Sequence, residues 1–178
     1  MNTFDLTRHV LLFAVLAIAL YQDLAHGRLD NTLTFGGMAL GLALHTLAGG
    51  WGGVHASMGN PRHPGLCSAL MGGAVAFALF LFPVLMGGFG AGDLKLMTAV
   101  GVLSGLRVAL TVLLLVTATG AAMAVALLIW KGRLLEGLRG TWGILRRRPV
   151  PQTAARIPFR YVPAIAAGTL WAWMVHYA

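Results

Sequence analysis

The sequence predicts an all-α, polytopic membrane protein with about six transmembrane helices in one domain, residues 1–178. Of the 178 residues, 58% are hydrophobic and 10% are charged, and the mean hydropathy is +0.79. A soluble domain carries about 25% charged residues. The apolar runs are continuous and longer than the roughly ten alternating residues of a barrel strand. Helices are favoured because they satisfy their own backbone hydrogen bonds within lipid.

Three apolar segments are expected in the amino-terminal half. They cover about 5–22, 31–49 and 65–86. The first ends in Tyr21-Gln22-Asp23, without the small-x-small pattern of a cleaved signal peptide, so we interpret it as a retained membrane helix. Asp30 or Asn31 is suited to cap the second segment. Gly37 and Gly41 within it favour close helix packing.

Three further segments are expected at about Leu94–Leu106, 108–130 and 158–177. The segment Leu94–Leu106 is well below the roughly 20 residues that span a bilayer. A short helix still crosses where neighbours bury it or where the bilayer thins. If this segment does not cross, every later orientation is reversed.

The net charge of +8 is concentrated late in the chain. Eight of the thirteen basic residues lie between Lys131 and Arg160 and flank apolar segments. This distribution indicates a cytoplasmic loop and contacts with anionic lipid headgroups rather than with nucleic acid. Counting crossings backward places the loops around 23–30 and 87–93 in the cytoplasm as well. Both termini and the loop 50–64 are then expected outside.

The chain has five acidic residues, and two of them are predicted to act together. All five are Asp5, Asp23, Asp30, Asp93 and Glu136. A carboxylate at the rim of a bilayer costs free energy unless it contacts water, forms an ion pair or serves a function. Asp23 ends the first apolar segment, Asp93 follows the glycine-rich stretch 87–92, and the crossing count puts both on one side. We predict that they share one proton, because two adjacent carboxylates do not both ionise readily. Such a pair activates water and donates to an oxyanion in peptide hydrolysis.

The neighbouring residues have functional and simpler interpretations. Gly90 and Gly92 lack Cβ atoms, so the backbone there can take strained angles and lie close to an extended substrate. Asp93 could instead be only a helix cap and Asp23 only an interfacial residue. Asp30, a cap or loop residue, is the main rival for the pair. Lys95 is expected to snorkel to the cytoplasmic surface or to tune the pair.

Metal and phosphate sites are disfavoured. A single cysteine, Cys67, excludes an intrachain disulfide and a cysteine-based zinc cluster. His55, His63 and Cys67 match no metal-ligand spacing. Asp93 would repel a phosphate, and no Gly-Lys-[Ser/Thr] follows the glycines. We therefore expect neither a metal nor a cofactor.

Two stretches resemble the elements of type IV prepilin peptidases. Gly90-Ala91-Gly92-Asp93-Leu94-Lys95-Leu96-Met97 resembles their Gly-x-Gly-Asp motif and its continuation. Asp23-Leu24-Ala25-His26-Gly27-Arg28-Leu29-Asp30-Asn31 is similar to their other aspartate element, with Asp30 where proline is usual. Arg156-Ile157-Pro158-Phe159 also looks familial.

The resemblance implies an intramembrane aspartic endopeptidase of the bacterial inner membrane. It would cleave prepilins with a basic leader and an apolar helix near the cytoplasmic face, after glycine, and pilus assembly machinery is a possible partner. The implied catalytic residues are Asp23 and Asp93, and the implied binding or site-shaping residues are Gly90, Gly92, Asn31 and Lys95. Longer members carry paired Cys-x-x-Cys elements linked to N-methylation. This chain is similar to the short, peptidase-only forms of Flp/Tad-type pili.

Two other functions stay open from the sequence. One is a small transporter whose aspartates relay protons, which predicts ion flux and no proteolysis. The other is a non-catalytic pilus-assembly protein that holds a pilin, in which Asp→Asn changes would be tolerated.

Overall fold

The computed structural model describes residues 3–49, 65–86, 89–132 and 160–177, and in these ranges it contains five α-helices and no strand. The helices are α1 (Thr3–His26), α2 (Asn31–Gly49), α3 (Leu66–Leu85), α4 (Ala91–Trp130) and α5 (Val162–Tyr177). The all-α prediction is confirmed. The prediction of about six spans is not confirmed. Of the described helices, α1 to α4 are long and apolar enough to cross a membrane, and α5 is shorter.

The fourth and fifth predicted segments belong to one helix, α4, of 40 residues. A straight helix of that length would measure about 60 Å, roughly twice the hydrocarbon thickness of a bilayer. The helix is interrupted at Gly105, whose φ of 71° and ψ of 162° are not helical. Only glycine adopts such angles readily. We call residues 91–104 the first arm of α4 and residues 106–130 the second arm.

The first arm runs antiparallel to α3. A Cβ on Gly73, near the middle of α3, would lie 2.5 Å from Val102 Cγ2. Nearer the start of α3, Ser68 Oγ accepts a hydrogen bond from the Leu106 backbone N–H at 3.1 Å. Earlier residues of α3 therefore meet later residues of α4.

The second arm runs back along α3 in the opposite direction. Leu79 and Pro83, in the last turns of α3, line a groove together with residues from Leu110 to Ala124. A straight α4 could not bring these residues to that end of α3. The chain thus reverses direction at Gly105.

Glycines let the helices approach closely. A Cβ on Gly101 would lie 2.5 Å from the carbonyl oxygen of Gly72, so α3 and the first arm meet backbone to backbone. A Cβ on Gly41 would lie 2.9 Å from Val102 Cγ1 in the first arm. This is the close helix packing that the sequence predicts for α2.

Several helix ends meet at one end of the bundle. Lys95, in the first turns of α4, donates a hydrogen bond to Asn31 at the start of α2. Arg160, just before α5, donates to the Leu24 carbonyl oxygen in the last turn of α1 at 3.1 Å. The starts of α2, α4 and α5 therefore lie beside the end of α1.

Several predicted features lie outside the described residues. They are the loop 50–64, residues 133–157 of the basic loop, the glycines 87–88, and Arg156-Ile157-Pro158-Phe159. The last apolar segment, expected from 158, is described as a helix only from Val162.

Candidate active site

Asp23 and Asp93 both lie at this shared end of the bundle, which we call the aspartate end. Asp23 is in the last turns of α1 and is 8% exposed. The helix stops just beyond it at Gly27, whose φ is 64° and whose N–H donates to the Asp23 carbonyl oxygen at 3.0 Å. A glycine with positive φ is a frequent helix stop. This stop fixes where α1 ends and keeps Asp23 inside its final turns.

The carboxylate of Asp23 is not fully hydrogen-bonded. Its Oδ2 is buried and has no hydrogen-bond partner among the residues that the structure describes. A buried carboxylate oxygen without a partner is costly. A hydrogen-bond donor that approaches this oxygen would relieve that cost.

Asp93 lies in the first turn of α4, and its carboxylate has a hydrogen-bond partner that Asp23 Oδ2 lacks among the described residues. Its Oδ2 accepts a hydrogen bond from the Gly90 backbone N–H at 3.3 Å. A carboxylate in the first turn of a helix is also stabilised by the helix dipole. Asp93 therefore takes part in capping α4, as its simpler interpretation predicts, and its carboxylate is still only partly buried.

The structure brings the two aspartates together. The negative charge of Asp23 acts on Asp93, so the carboxylates are close enough to interact electrostatically. Two carboxylates that interact in a partly buried place disfavour each other's charged form.

The fold itself does not require the glycines beside Asp93. Gly90 has φ −79° and ψ 151°, extended angles that any residue adopts, so the backbone is not strained there. A Cβ on Gly90 would lie 3.5 Å from Asp93 Oδ2, and one on Gly92 would lie 3.4 Å from Leu29 Cδ1. Both are ordinary contacts. The absent side chains instead leave the backbone beside Asp93 open.

Lys95 and Asn31 connect two helix starts at the site. Lys95 Nζ donates a hydrogen bond to Asn31 Oδ1 at 2.7 Å and lies 5.4 Å from the ring centroid of Phe35. Residues two apart on a helix do not face each other, so Lys95 points away from Asp93. The pair holds the start of α2 against the start of α4.

Asp30, the rival for the pair, has a different environment. It is exposed, and its Oδ2 accepts a hydrogen bond from Gln22 Nε2 at 2.8 Å. Its own backbone N–H donates to Gln22 Oε1 at 3.1 Å. These two bonds close the turn between α1 and α2, which accounts for Asp30 structurally.

Tyr161 is a site residue that sequence reasoning missed. It is 3% exposed, and its ring centroid lies 4.3 Å from that of Phe89. Its hydroxyl donates to the Val116 carbonyl oxygen at 3.2 Å. The charge of Asp93 acts on it, and burial raises the pKa of Tyr161 to about 12, so the hydroxyl keeps its proton.

The sequence contained one indirect sign of this tyrosine. A Cβ on Gly120 would overlap the ring of Tyr161, so the second arm needs glycine there. Gly120 lies inside a long apolar run, where glycine often marks close packing. The sequence does not indicate which residue packs there.

No metal cluster is found in the described ranges. They contain no group of three or more His, Cys, Asp or Glu side chains placed to hold an ion. Cys67 is partly buried in the first turn of α3, and His55 and His63 lie outside those ranges.

The comparisons with known proteins identify the family of the chain. The family model described as the type IV leader peptidase family matches residues 10–125, a region that contains both Asp23 and Asp93. No curated protein and no solved structure matches the chain. The family match covers well over half of the 178 residues. We conclude that this chain, with several helices long and apolar enough to span a membrane, belongs to the type IV leader peptidase family and is a protease of that type.

Proposed function

We propose that the chain is an intramembrane aspartic endopeptidase that removes leader peptides from prepilins, with Asp23 and Asp93 as the catalytic pair. One observation carries this proposal. The charge of Asp23 acts on Asp93 at the aspartate end, where Asp23 Oδ2 is buried without a described hydrogen-bond partner. Two coupled carboxylates of this kind supply both an acid and a base.

The proposed chemistry uses the pair with one shared proton. The ionised carboxylate takes a proton from water, and the water oxygen attacks the scissile carbonyl carbon. The protonated carboxyl group donates a hydrogen bond to the oxygen on which negative charge develops. Collapse of the tetrahedral intermediate breaks the C–N bond, and the leaving amine takes up a proton from the pair.

The substrate is expected to bind as an extended strand beside Asp93. A peptide bond inside a helix is shielded, so the substrate must unwind near the cleavage point. The open backbone at Gly90 and Gly92 leaves room for such a strand. The bond between Lys95 and Asn31 keeps α2 and α4 together around it.

Two further parts of the proposal are the class of substrate and the side of the membrane that the aspartate end faces. The basic residues between Lys131 and Arg160 support an aspartate end that faces the cytoplasm of a bacterial inner membrane. The 178 residues hold one cysteine and hence no paired Cys-x-x-Cys element. Because the chain resembles the short, peptidase-only forms of the family, we assign prepilins of the Flp/Tad type, with a basic leader and an apolar helix, and cleavage without N-methylation.

Reconstitution tests this function. The purified protein is placed in liposomes with a purified prepilin, and the products are read by intact mass. We expect a released leader that ends in glycine and a mature pilin with an unmethylated amino terminus. Asp93→Asn should give no product while keeping the unfolding temperature of the wild type.

Three results would contradict the proposal. Full processing by Asp93→Asn would remove the catalytic role of that aspartate. Activity that is lost to a chelator and restored by zinc would indicate a metalloprotease. Proton flux into the liposomes without cleavage would favour the transporter.

A further inference from the structure

A long apolar groove lies between the end of α3 and the second arm of α4. Its volume is about 810 Å³, within the range of about 300–1,000 Å³ that is typical of ligand pockets. Phe89 and Tyr161 line it at the aspartate end, and Leu110 lines it nearer the middle of the bundle. Leu114, on its wall, is 67% exposed.

The polar groups of the groove are already used. Thr117 Oγ1 donates to the Leu113 carbonyl oxygen at 2.7 Å, and the Tyr161 hydroxyl donates to the Val116 carbonyl oxygen at 3.2 Å. The remaining lining is apolar side chains and glycine. The groove is therefore suited to an apolar occupant.

The shape of the groove favours a helix as that occupant. Along α4 it extends from Leu110 to Ala124, which is about 21 Å at 1.5 Å per residue. Toward the aspartate end its lining includes the small residues Gly120, Ala121 and Ala124. Small residues let the backbone of a second helix approach closely within a membrane.

The groove also leads directly to the carboxylate pair. The ring of Tyr161 packs on Phe89 at 4.3 Å, and the charge of Asp93 acts on Tyr161. A helix lying in the groove would run along the second arm and have one end beside Asp93.

We propose that this groove binds the apolar helix of the substrate, the segment that follows the cleaved bond. The packed rings of Tyr161 and Phe89 mark the point where that helix must unwind to reach Asp93. This inference rests on the proposed function, because it assumes a substrate whose cleavage site adjoins an apolar helix. The exposed groove would otherwise be filled by lipid chains.

Photo-crosslinking tests occupancy of the groove without turnover. A benzophenone side chain is introduced at Leu114, or at Leu47 as a control, in an Asp93→Asn protein reconstituted with unprocessed prepilin. Leu47 is 85% exposed on α2 and does not line the groove. We expect the prepilin adduct mainly from position 114. Equal adducts from both positions would overturn the proposal and leave the groove as a lipid-facing surface.

Filling the groove gives a second readout. Ala121 and Ala122 are adjacent and exposed on the second arm, but only Ala121 lines the groove. Ala121→Trp should raise the KM for prepilin about tenfold, the effect of losing one buried apolar contact. Ala122→Trp should leave KM unchanged.

The outcomes remain separable from those of the proposed function. Equal KM values for the two tryptophan variants would contradict the groove proposal but not the proposed catalysis by the aspartates. Failure of the wild type to cleave prepilin would contradict the proposed function. The adduct yield at position 114 would still measure binding of prepilin in the groove. If Ala121→Trp does not fold, the adduct yield at position 114, compared with position 47, tests the groove proposal by itself.

Discussion

At the scale of single residues, the two aspartates differ in their surroundings. Asp93 lies at a helix start and accepts a hydrogen bond from Gly90, whereas Asp23 lies near a helix end with one oxygen that has no partner within the described ranges. Helix starts favour negative charge and helix ends disfavour it. Unequal surroundings of this kind let two identical groups take different roles.

The glycines beside Asp93 give a residue-scale prediction. Gly90→Ala and Gly92→Ala should leave the unfolding temperature unchanged, because a methyl group fits at both positions. Cleavage of prepilin should fall about 10- to 100-fold in kcat/KM, because the methyl group would displace a bound strand. Wild-type kcat/KM in both variants would show that the open backbone does not serve the substrate.

Tyr161 gives a pH-dependent prediction. Burial raises its pKa from 10.0 to about 12, so the folded protein holds the phenol proton more tightly than the unfolded chain does. That stabilisation is complete below about pH 10 and is lost as the pH rises toward 12. The unfolding temperature in detergent should therefore fall more steeply above pH 10 for the wild type than for Tyr161→Phe. Parallel curves would contradict the burial of this hydroxyl.

The sequence predicted Asp23, Asp93, Asn31 and Lys95 as site residues, and the structure brings all four to the aspartate end. The local motifs were sufficient because Asp23 and Asn31 lie in one short stretch of chain, and Asp93 and Lys95 lie in another. Tyr161 could not be predicted, because its neighbours Phe89 and Val116 are distant along the chain. Only the folded helices bring them together.

At the scale of helices, Gly105 explains the main difference from the sequence prediction. The sequence predicted a boundary between two segments at residue 107, and the helix is interrupted two residues earlier. The chain has 24 glycines, and local sequence does not distinguish the one that adopts a positive φ inside a helix. Segment number could therefore be predicted only approximately.

Replacing Gly105 tests this break. Gly105→Ala places a Cβ where φ is 71° and should cost about 1–3 kcal/mol of folding free energy. Unfolding in detergent measures the loss. Ser104→Ala is the matched control: its hydroxyl is buried without a partner in the described part of the chain, so its removal should be neutral or slightly stabilising. Equal stabilities of the two variants would contradict a strained break at Gly105.

At the scale of the whole molecule, the reversal in α4 builds the site. The first arm leads away from Asp93, and the second arm returns to place Gly120 against Tyr161 near it. One end of the bundle thus contains the carboxylate pair, the rings of Phe89 and Tyr161, and one end of the groove. The family match covers the part of the chain that contains this reversal.

Membrane topology gives a whole-molecule prediction. Reporters fused after residues 27 and 90 should both lie in the cytoplasm, and a reporter after residue 58 should lie outside. The reason is that Asp23 and Asp93 share one end of the bundle, while the basic residues after Lys131 favour the cytoplasmic side. Reporters 27 and 90 on opposite sides would contradict the arrangement.

The most direct measurement of the central claim compares Asp23→Asn with Asp30→Asn in the cleavage of purified prepilin. Both changes remove one carboxylate near the connection between α1 and α2, but of the two only Asp23 acts on Asp93, and Asp30 accepts a hydrogen bond from Gln22. The account predicts that Asp23→Asn lowers kcat by about 10²- to 10⁴-fold, the range of acid–base catalysis, while Asp30→Asn stays near the wild-type rate. Cleavage by Asp23→Asn at the wild-type rate, or loss of activity only in Asp30→Asn, would contradict it.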